Sequence, residues 1–190
     1  LTCGKYGEEE WRLDEGILMS ANHCQWAGIR CDEKNRTIAI HLQHIDNVHG
    51  SLPQELSALN TSLAVLVTGE NYDIPTGLWL PWNIPTTFGA LRNLNLLDVS
   101  NIITGTLARD NVYGTIPFQL GTLPSLMYLD FSANYMVGTI PTFLGQLSQL
   151  LTLRGDFNNL VGTIPSELMQ LKALRELDFR ENLLTGSISD

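Results

Sequence analysis

The sequence contains few charged residues, and basic residues are the rarer kind. Charged side chains make up 16% of its 190 residues, and 11 lysines and arginines face 20 aspartates and glutamates, which gives a formal net charge of −9. An acidic surface repels phosphate groups, so this balance argues against nucleic acids and anionic membranes as partners. The apolar segments are also short, since none approaches the roughly 18 residues that a membrane-spanning helix needs.

Motifs of catalytic and metal sites are missing as well. The sequence has no G-x-S-x-G, no H-E-x-x-H and no glycine-rich phosphate loop. Acidic pairs such as Asp14-Glu15 are typical of a solvated helix face. His41, His44 and His49 have no oxygen or nitrogen partners at metal-binding spacing, so we interpret them as solvated or turn histidines. We therefore expect no enzyme activity, no cofactor and no metal.

The length and the apolar content fit one folded domain with a substantial core. Hydrophobic residues make up 44% of the chain, which excludes a disordered tail. The chain begins at Leu1 and ends within the repeated pattern described next, so we expect it to be a fragment of a longer protein.

What the sequence has instead is an internal repeat, marked by proline. An apolar residue followed by proline recurs, and the prolines at positions 53, 85, 117, 141 and 165 are 32, 32, 24 and 24 residues apart. Glycine stands two positions before most of these apolar-Pro pairs, and leucine or phenylalanine stands three and six positions after each proline. Two of these spacings equal a 24-residue unit and two equal that unit plus eight residues. A recurring unit of this length indicates a solenoid, in which each coil buries its apolar edges against its neighbours.

The recurring residues have physical roles within a coil. Residues 128–132 alternate apolar and polar side chains, which predicts a short strand with one buried face. Asn134 follows where the chain turns inward, and its amide can satisfy backbone groups that the turn leaves unpaired. Gly138 permits a backbone conformation that a side chain would block. Pro141 fixes φ and removes an N–H where the extended segment ends.

This pattern resembles the leucine-rich repeat family, whose general form is L-x-x-L-x-L-x-x-N-x-L. The segment 123–141 reads L-P-S-L-M-Y-L-D-F-S-A-N-Y-M-V-G-T-I-P, and its 24-residue unit with G-x-I-P is similar to the plant-type subclass of receptor-kinase ectodomains, receptor-like proteins and secreted inhibitors. The resemblance covers residues 38–190. It implies an α/β fold, a right-handed solenoid of about six coils with a parallel β-sheet on the concave face, truncated at its C-terminal end.

Residues 1–37 carry no repeat, and we interpret them as an N-terminal capping segment. The segment C-Q-W-A-G-I-R-C is similar to the C-x-W-x-G-[VI]-x-C signature of the plant-type cap, which implies a disulfide between Cys24 and Cys31. A metal site at these cysteines is the alternative, but His23 is the only adjacent further ligand and tetrahedral sites need four. Cys3 is left over, and the sequence does not assign it a partner.

Two sequons agree with the oxidising compartment that a disulfide implies. Asn35-Arg36-Thr37 and Asn60-Thr61-Ser62 are acceptors for N-glycosylation in secreted proteins. We therefore expect an extracellular location, either secreted or as the ectodomain of a membrane protein whose anchor lies outside these residues.

Several units depart from the regular repeat. The second is expanded between Asn71 and Ile84 by a segment that contains Trp79 and Trp82, and the two rings form either an exposed ridge for a partner or a cover for the coil edge. The third contains a second turn-like segment. In the fifth, Gly155 replaces an inward-facing apolar residue, which predicts a locally thinner core.

The outward-facing strand residues are the candidate binding surface. They line up from coil to coil, about 4.8 Å apart, and like charges in one column favour a basic or polar partner. The alternative is that aspartate here is simply the common residue of the family. The exposed set on this register is Val65, Val67, Leu96, Asp98, Ser100, Tyr128, Asp130, Ser132, Thr152, Arg154, Asp156, Glu176, Asp178 and Arg180.

These features favour a non-catalytic recognition module. We expect it to bind a protein, peptide or glycan ligand on the concave face. Two alternatives stay open: the sensor ectodomain of a membrane receptor kinase, with the catalytic domain elsewhere in the parent protein, and a structural or adhesive extracellular protein without a discrete ligand.

Overall fold

The described residues form a stack of six coils, each of which contributes one parallel strand to a common sheet. The computed structural model describes residues 23–25, 28–43, 52, 54–69, 84–101 and 114–187. The strands within these residues are β1 (Ile29–Cys31), β2 (Thr37–His41), β3 (Val65–Val67), β4 (Leu96–Asp98), β5 (Tyr128–Asp130), β6 (Val137–Thr139), β7 (Thr152–Arg154), β8 (Asn159–Gly162), β9 (Glu176–Asp178) and β10 (Leu183–Leu184).

The main sheet has seven strands in the order β1-β2-β3-β4-β5-β7-β9. Strands β2, β3, β4, β5, β7 and β9 pair in parallel in this order, each one coil further along the chain. Strand β1 pairs antiparallel with β2. Since parallel strands need a long connection between them, each coil must leave the sheet, cross the back of the molecule and return. The β1–β2 hairpin therefore covers the first edge of the parallel array.

Short 3-10 helices form the back of each coil. They span Gln54–Leu59, Thr86–Ala90, Phe118–Thr122, Thr142–Gln146 and Ser166–Gln170. A repeating proline precedes each of the last four and has an extended backbone, as at Pro141 with φ −77° and ψ 140°. Proline suits this position because the first N–H groups of a helix have no partner within the helix.

The three-residue spacing of the leucines follows from these helices. Side chains three residues apart lie above one another in a 3-10 helix, and in the fourth coil this ladder continues into the strand. Leu120, Leu123, Leu126 and Leu129 are all at most 2% exposed. One apolar stripe therefore connects the back of the coil to the inner face of the main sheet, and the five such stripes within the described residues form a continuous core.

Each of the last three coils has a second strand after its strand of the main sheet. These second strands form a three-stranded parallel sheet in the order β10-β8-β6. Gly138 and Gly162 lie within it at φ +89° and +85°. A Cβ atom at Gly138 would also lie 3.1 Å from Cγ2 of Thr115 in the preceding coil. The prediction that glycine permits an unusual conformation here is confirmed.

One asparagine in each of the last three coils connects its coil to the one before. Nδ2 of Asn158 donates to the carbonyls of Phe131 (3.0 Å) and Gly155 (3.1 Å), and its Oδ1 accepts the N–H of Met136 at 2.9 Å. Asn182 repeats the pattern one coil later with the carbonyl of Gly155 at 2.9 Å. The predicted role of this amide is confirmed, and its bonds extend across the coil boundary.

The residue before each asparagine adopts a left-handed conformation. Ala133, Phe157 and Glu181 have φ values of 51°, 53° and 52°. Such a conformation costs a non-glycine residue on the order of 1 kcal/mol. The hydrogen bonds of the following asparagine form only when the chain turns inward at this residue. The free energy of these bonds offsets the cost of the left-handed conformation.

Gly155 does not leave a thin core, so that prediction is wrong. The space is filled by Phe131 from the coil before and Phe179 from the coil after, whose ring centroids are 6.2 Å apart. A Cβ atom at Gly155 would lie 2.4 Å from Cε2 of Phe131 and 2.6 Å from Cε1 of Phe179. Glycine is therefore needed here to admit the two rings.

Several predicted features fall outside the described residues. They are Cys3, to which the sequence assigns no partner, the insert with Trp79 and Trp82, and the second turn-like segment of the third coil. The boundary of the capping segment at residue 37 stays a prediction. Among the described residues, no helix has the length and apolar character to cross a bilayer.

We predict that Asn158→Ala lowers the free energy of unfolding by about 2–4 kcal/mol, because two carbonyls and one N–H lose their partner in a buried setting. Chemical denaturation followed by circular dichroism measures the change. Asn159→Ala is the matched control: this adjacent residue exposes more surface, and its side chain makes no hydrogen bond within the described residues. A similar loss in both variants would contradict the prediction.

Candidate ligand-binding face

The main sheet aligns the predicted binding residues in two columns. Register pairs connect Leu96, Tyr128, Thr152 and Glu176 in one column and Asp98, Asp130, Arg154 and Asp178 in the next. The leucines at 97, 129, 153 and 177 lie between them and point the other way; the first three are buried and Leu177 is half-buried. We use the term open face for these two columns together with the residues that follow each strand, Ser100, Ser132, Asp156 and Arg180.

The open face is exposed unevenly. Tyr128 is 42% exposed, and the side chain of Arg154 is 45% exposed. Ser100 was predicted to be exposed but is buried at 8%. Its hydroxyl turns inward to Asp98, and the backbone of Gly69 lies so close that a Cβ atom there would be 2.6 Å from Ser100 Oγ.

Val67 is a second correction to the predicted exposed set. It is buried at 5%, although it occupies the same outward register as Asp98. In the sheet it stands between His41 and Asp98, and its side chain is the shortest of the three. The outward position of a strand residue therefore does not by itself guarantee access.

The aspartates of β4 and β5 each close a turn at the end of their strand. Asp98 Oδ1 accepts the N–H of Ser100 at 2.9 Å and its hydroxyl at 2.7 Å. Asp130 Oδ1 does the same with Ser132 at 2.9 and 2.6 Å. This side-chain turn gives the D-x-S pattern a structural role. It occupies only one oxygen of each carboxylate.

The next two strands carry arginines that pair within the face. Arg154 Nε donates to Glu176 Oε1 at 2.8 Å, and Arg154 Nη1 lies 4.0 Å from Asp130 Oδ2. Arg180 forms a two-pronged pair with Asp178, with Nη2 to Oδ2 at 2.6 Å and Nε to Oδ1 at 2.9 Å. Because Arg180 is largely exposed and Arg154 and Glu176 are partly exposed, each pair contributes little to folding, but it fixes the local charge.

These surroundings move two carboxyl pKa values in opposite directions. Burial raises the pKa of Asp130 above the ordinary value of 3.8, against the lowering effect of its bonds from Ser132. The neighbouring Asp98 raises it further. The hydrogen bond from Arg180 lowers the pKa of Asp178 below 3.8. Of these two carboxylates, Asp130 is therefore the one whose negative charge is less well stabilised by its surroundings.

The cysteines that the family resemblance pairs are joined in the structure. Cys24 and Cys31 form a disulfide with their Cα atoms 5.6 Å apart. His23 and the two sulfur atoms lie within 4.8 Å of one another, but sulfurs bonded to each other are not available as thiolate ligands. His41 lies in β2, whereas His44 and His49 fall outside the described residues.

The two sequon asparagines lie at exposed turns. Asn35 stands in the β1–β2 hairpin at φ 56°, and Asn60 follows the 3-10 helix Gln54–Leu59. Both side chains are exposed, so neither is hindered by the core.

One exposed residue close to the open face was missed by the sequence reasoning. Phe157 follows Asp156 directly and is 56% exposed. The available signal was its position before the recurring asparagine, which marks a turn and not a strand. An aromatic ring at a turn of this kind adds apolar surface next to the columns.

The chain was compared with known proteins, and it matches no protein-family model. It is 33% identical over 89 residues to polygalacturonase inhibitor 1 of Oryza sativa subsp. japonica, covering 47% of this chain and 25% of the inhibitor. It is 32% identical over 101 residues to the leucine-rich repeat receptor-like serine/threonine-protein kinase RGI4 of Arabidopsis thaliana, covering 53% of this chain and 8% of the kinase. The chain thus spans a quarter or less of these relatives.

Among solved structures, the fold is similar to the BIR3–SERK2 complex from Arabidopsis thaliana, with a TM-score of 0.67 and 28% identity. The match covers 90% of this chain and 87% of that chain. Together with the stacked parallel strands, this identifies the fold as a leucine-rich repeat solenoid.

We predict that Asp130 titrates above pH 3.8 and Asp178 below it. The folded protein holds the proton of Asp130 more tightly than the unfolded chain, so this group lowers the free energy of unfolding as the pH rises above 3.8. Asp178 has the opposite sign: its contribution is complete above 3.8 and is lost as the pH falls through its lower folded value.

Titration of the carboxyl carbons by NMR measures both midpoints. Arg180→Gln is the control, because it should move the midpoint of Asp178 upward and leave that of Asp130 nearly unchanged. Equal midpoints for the two aspartates in the unmodified protein would show that burial and pairing do not act as described.

Proposed function

We propose that this chain is an extracellular leucine-rich repeat module that binds a protein or peptide on its open face and carries out no bond chemistry. The observation that carries the proposal is the pair of in-register columns, which present polar and aromatic side chains on a regular sheet. The solved structure of similar fold is itself a complex of two proteins, BIR3 and SERK2. The named relatives include an inhibitor protein and a receptor-like kinase.

The architecture suits recognition because the sheet holds the binding residues in place. Each strand of the open face is hydrogen-bonded to its neighbours, and its inward side chains lie in the core. The backbone under these side chains is already ordered, so binding a partner does not require the entropy cost of ordering a loop. Variation at one coil changes one row of the surface without disturbing the others.

Tyr128 is the residue from which we expect the largest contribution. It is exposed and lies at an interior position of its column, between Leu96 on one neighbouring strand and Thr152 on the other. Tyrosine is enriched among residues that dominate binding energy, and such residues concentrate at the centre of interfaces. The predicted insert contacts, Trp79 and Trp82, lie outside the described residues and stay a prediction.

The same recognition role applies to two settings. A secreted module and the sensor part of a membrane receptor kinase would both use the open face, and similarity to the inhibitor and to the receptor-like kinase supports one each. A purely adhesive protein would lack a discrete binding face, which the test on Tyr128 addresses.

We predict that Asn35 and Asn60 carry N-linked glycans when the protein passes through a secretory pathway, because both lie at exposed turns of accepted sequons. Intact-mass measurement before and after treatment with an N-glycosidase counts the glycans. Asn35→Gln and Asn60→Gln should each remove one. A secreted, folded protein without either glycan would contradict the prediction.

For the open face, we predict that Tyr128→Ala weakens binding of a partner by at least about tenfold, as expected for a central aromatic anchor. Partners are sought among purified extracellular proteins, including polygalacturonases and receptor ectodomains, by biolayer interferometry. Phe118→Ala is the matched control, because Phe118 is 64% exposed and lies in a 3-10 helix on the back of its coil.

A partner that depends on Phe118 and not on Tyr128 would contradict the proposal, as would one that tolerates both substitutions. Both variants should unfold at nearly the same temperature as the unmodified protein, because both side chains are exposed.

A further inference from the structure

We propose that the half of the open face formed by β4 and β5 docks a basic side chain, a lysine or arginine carried by a segment of the protein partner. This inference rests on the proposed function and specifies the chemistry of the partner. It follows from the difference in uncompensated charge between the two halves of the open face, combined with the position of Tyr128.

The half formed by β7 and β9 is largely neutralised from within. Arg154 is held by Glu176, and Arg180 by Asp178. A charged group of a partner would have to displace one of these pairs to gain a new one. The two arginines with Glu176, Asp156 and Asp178 leave one excess negative charge on this half, so it offers little attraction of either sign.

The half formed by β4 and β5 has acids and no base of its own. Asp98 and Asp130 are direct neighbours in the parallel register. Each uses Oδ1 to close its serine turn, and within the described residues Oδ2 of Asp98 has no hydrogen-bond partner. The nearest cation to Asp130 Oδ2 is Arg154 Nη1 at 4.0 Å, and that guanidinium is already bonded to Glu176.

Partial burial makes this pair of aspartates a stronger partner than ordinary surface acids. The side chain of Asp130 is only 22% exposed, so much of its hydration is already lost in the unbound protein. Coulomb attraction also acts through a lower effective dielectric constant at such a position. A cation that arrives there gains more than at a fully exposed acid, and it relieves the repulsion between the two carboxylates.

Tyr128 indicates that the cation belongs to a long side chain. It lies in the column next to the aspartates, on the same strand as Asp130, and 42% of it is exposed. The aliphatic stem of lysine or arginine packs along aromatic surface while its head remains polar, and an arginine head also interacts favourably with the face of the ring. Leu96 adds apolar surface on the neighbouring strand.

The test uses two synthetic peptides that differ only in charge: acetylated, amidated Leu-Arg-Leu-Arg-Leu and the same peptide with citrulline in place of arginine. Binding is followed by NMR titration at low ionic strength. We expect the arginine peptide to shift the Tyr128 ring signals and to bind at least about tenfold more tightly than the citrulline peptide, which keeps the shape and loses the charge.

The decisive variant is Asp98→Asn with Asp130→Asn. Asparagine keeps the oxygen that closes each serine turn, so the fold is preserved and the amide signals of Ser100 and Ser132 report whether it is. We expect the affinity for the arginine peptide to fall to that for the citrulline peptide. The charge-matched control is Glu55→Gln with Glu167→Gln, two acids on 3-10 helices at the back, and it should change the affinity by less than about twofold.

An equal loss in the decisive variant and in the charge-matched control would overturn the inference, and so would unchanged binding in the decisive variant. If a protein partner depends on Tyr128 while the arginine peptide ignores the two aspartates, the proposed function stands and this inference fails. If the arginine peptide depends on the two aspartates but no protein partner depends on Tyr128, the basic-residue site stands and the proposed function fails.

Discussion

One hydrogen-bonding group, the amide of the recurring asparagine, makes the stack of coils possible. The chain turns inward after the strands of the last coils, and the carbonyls there face an apolar core that offers them few hydrogen-bond donors. Nδ2 of Asn134 donates hydrogen bonds to the carbonyls of Val99 in the preceding coil and of Phe131 in its own coil, each at 2.9 Å. A single side chain thus closes the turn and fixes the distance to the neighbouring coil.

The alignment of the open-face residues depends on these asparagine hydrogen bonds. Because the asparagine holds each of the last three coils to the one before it, their strands enter the sheet without a shift, and equivalent residues form straight columns. Charges that are far apart in the sequence therefore become neighbours, as Asp98 and Asp130 do. Asp98 and Asp130 each close a turn with one carboxylate oxygen, and the proposed recognition of a basic side chain would use the other.

The sequence predicts the solenoid well because its period is repeated several times and each recurrence has the same physical cause. The columns of the open face follow from the same period. What it does not predict depends on side-chain packing between coils: the burial of Ser100 against Gly69, the pairing of Arg154 with Glu176, and the phenylalanine rings beside Gly155. These depend on which neighbouring side chains are large, small or charged, and a repeat pattern does not contain that information.

The packing at Gly155 also bears on how an array of this kind can change in length. In a uniform solenoid, recombination that duplicates or deletes one unit leaves every interface intact. Here Phe131 and Phe179 occupy the space of a coil to which neither belongs, so three consecutive units share one arrangement. A crossover on either side of the fifth coil would bring a phenylalanine against a full-sized side chain, or leave the glycine facing a void. Gene rearrangements that insert or remove whole units should therefore be tolerated elsewhere in this array and selected against at this junction.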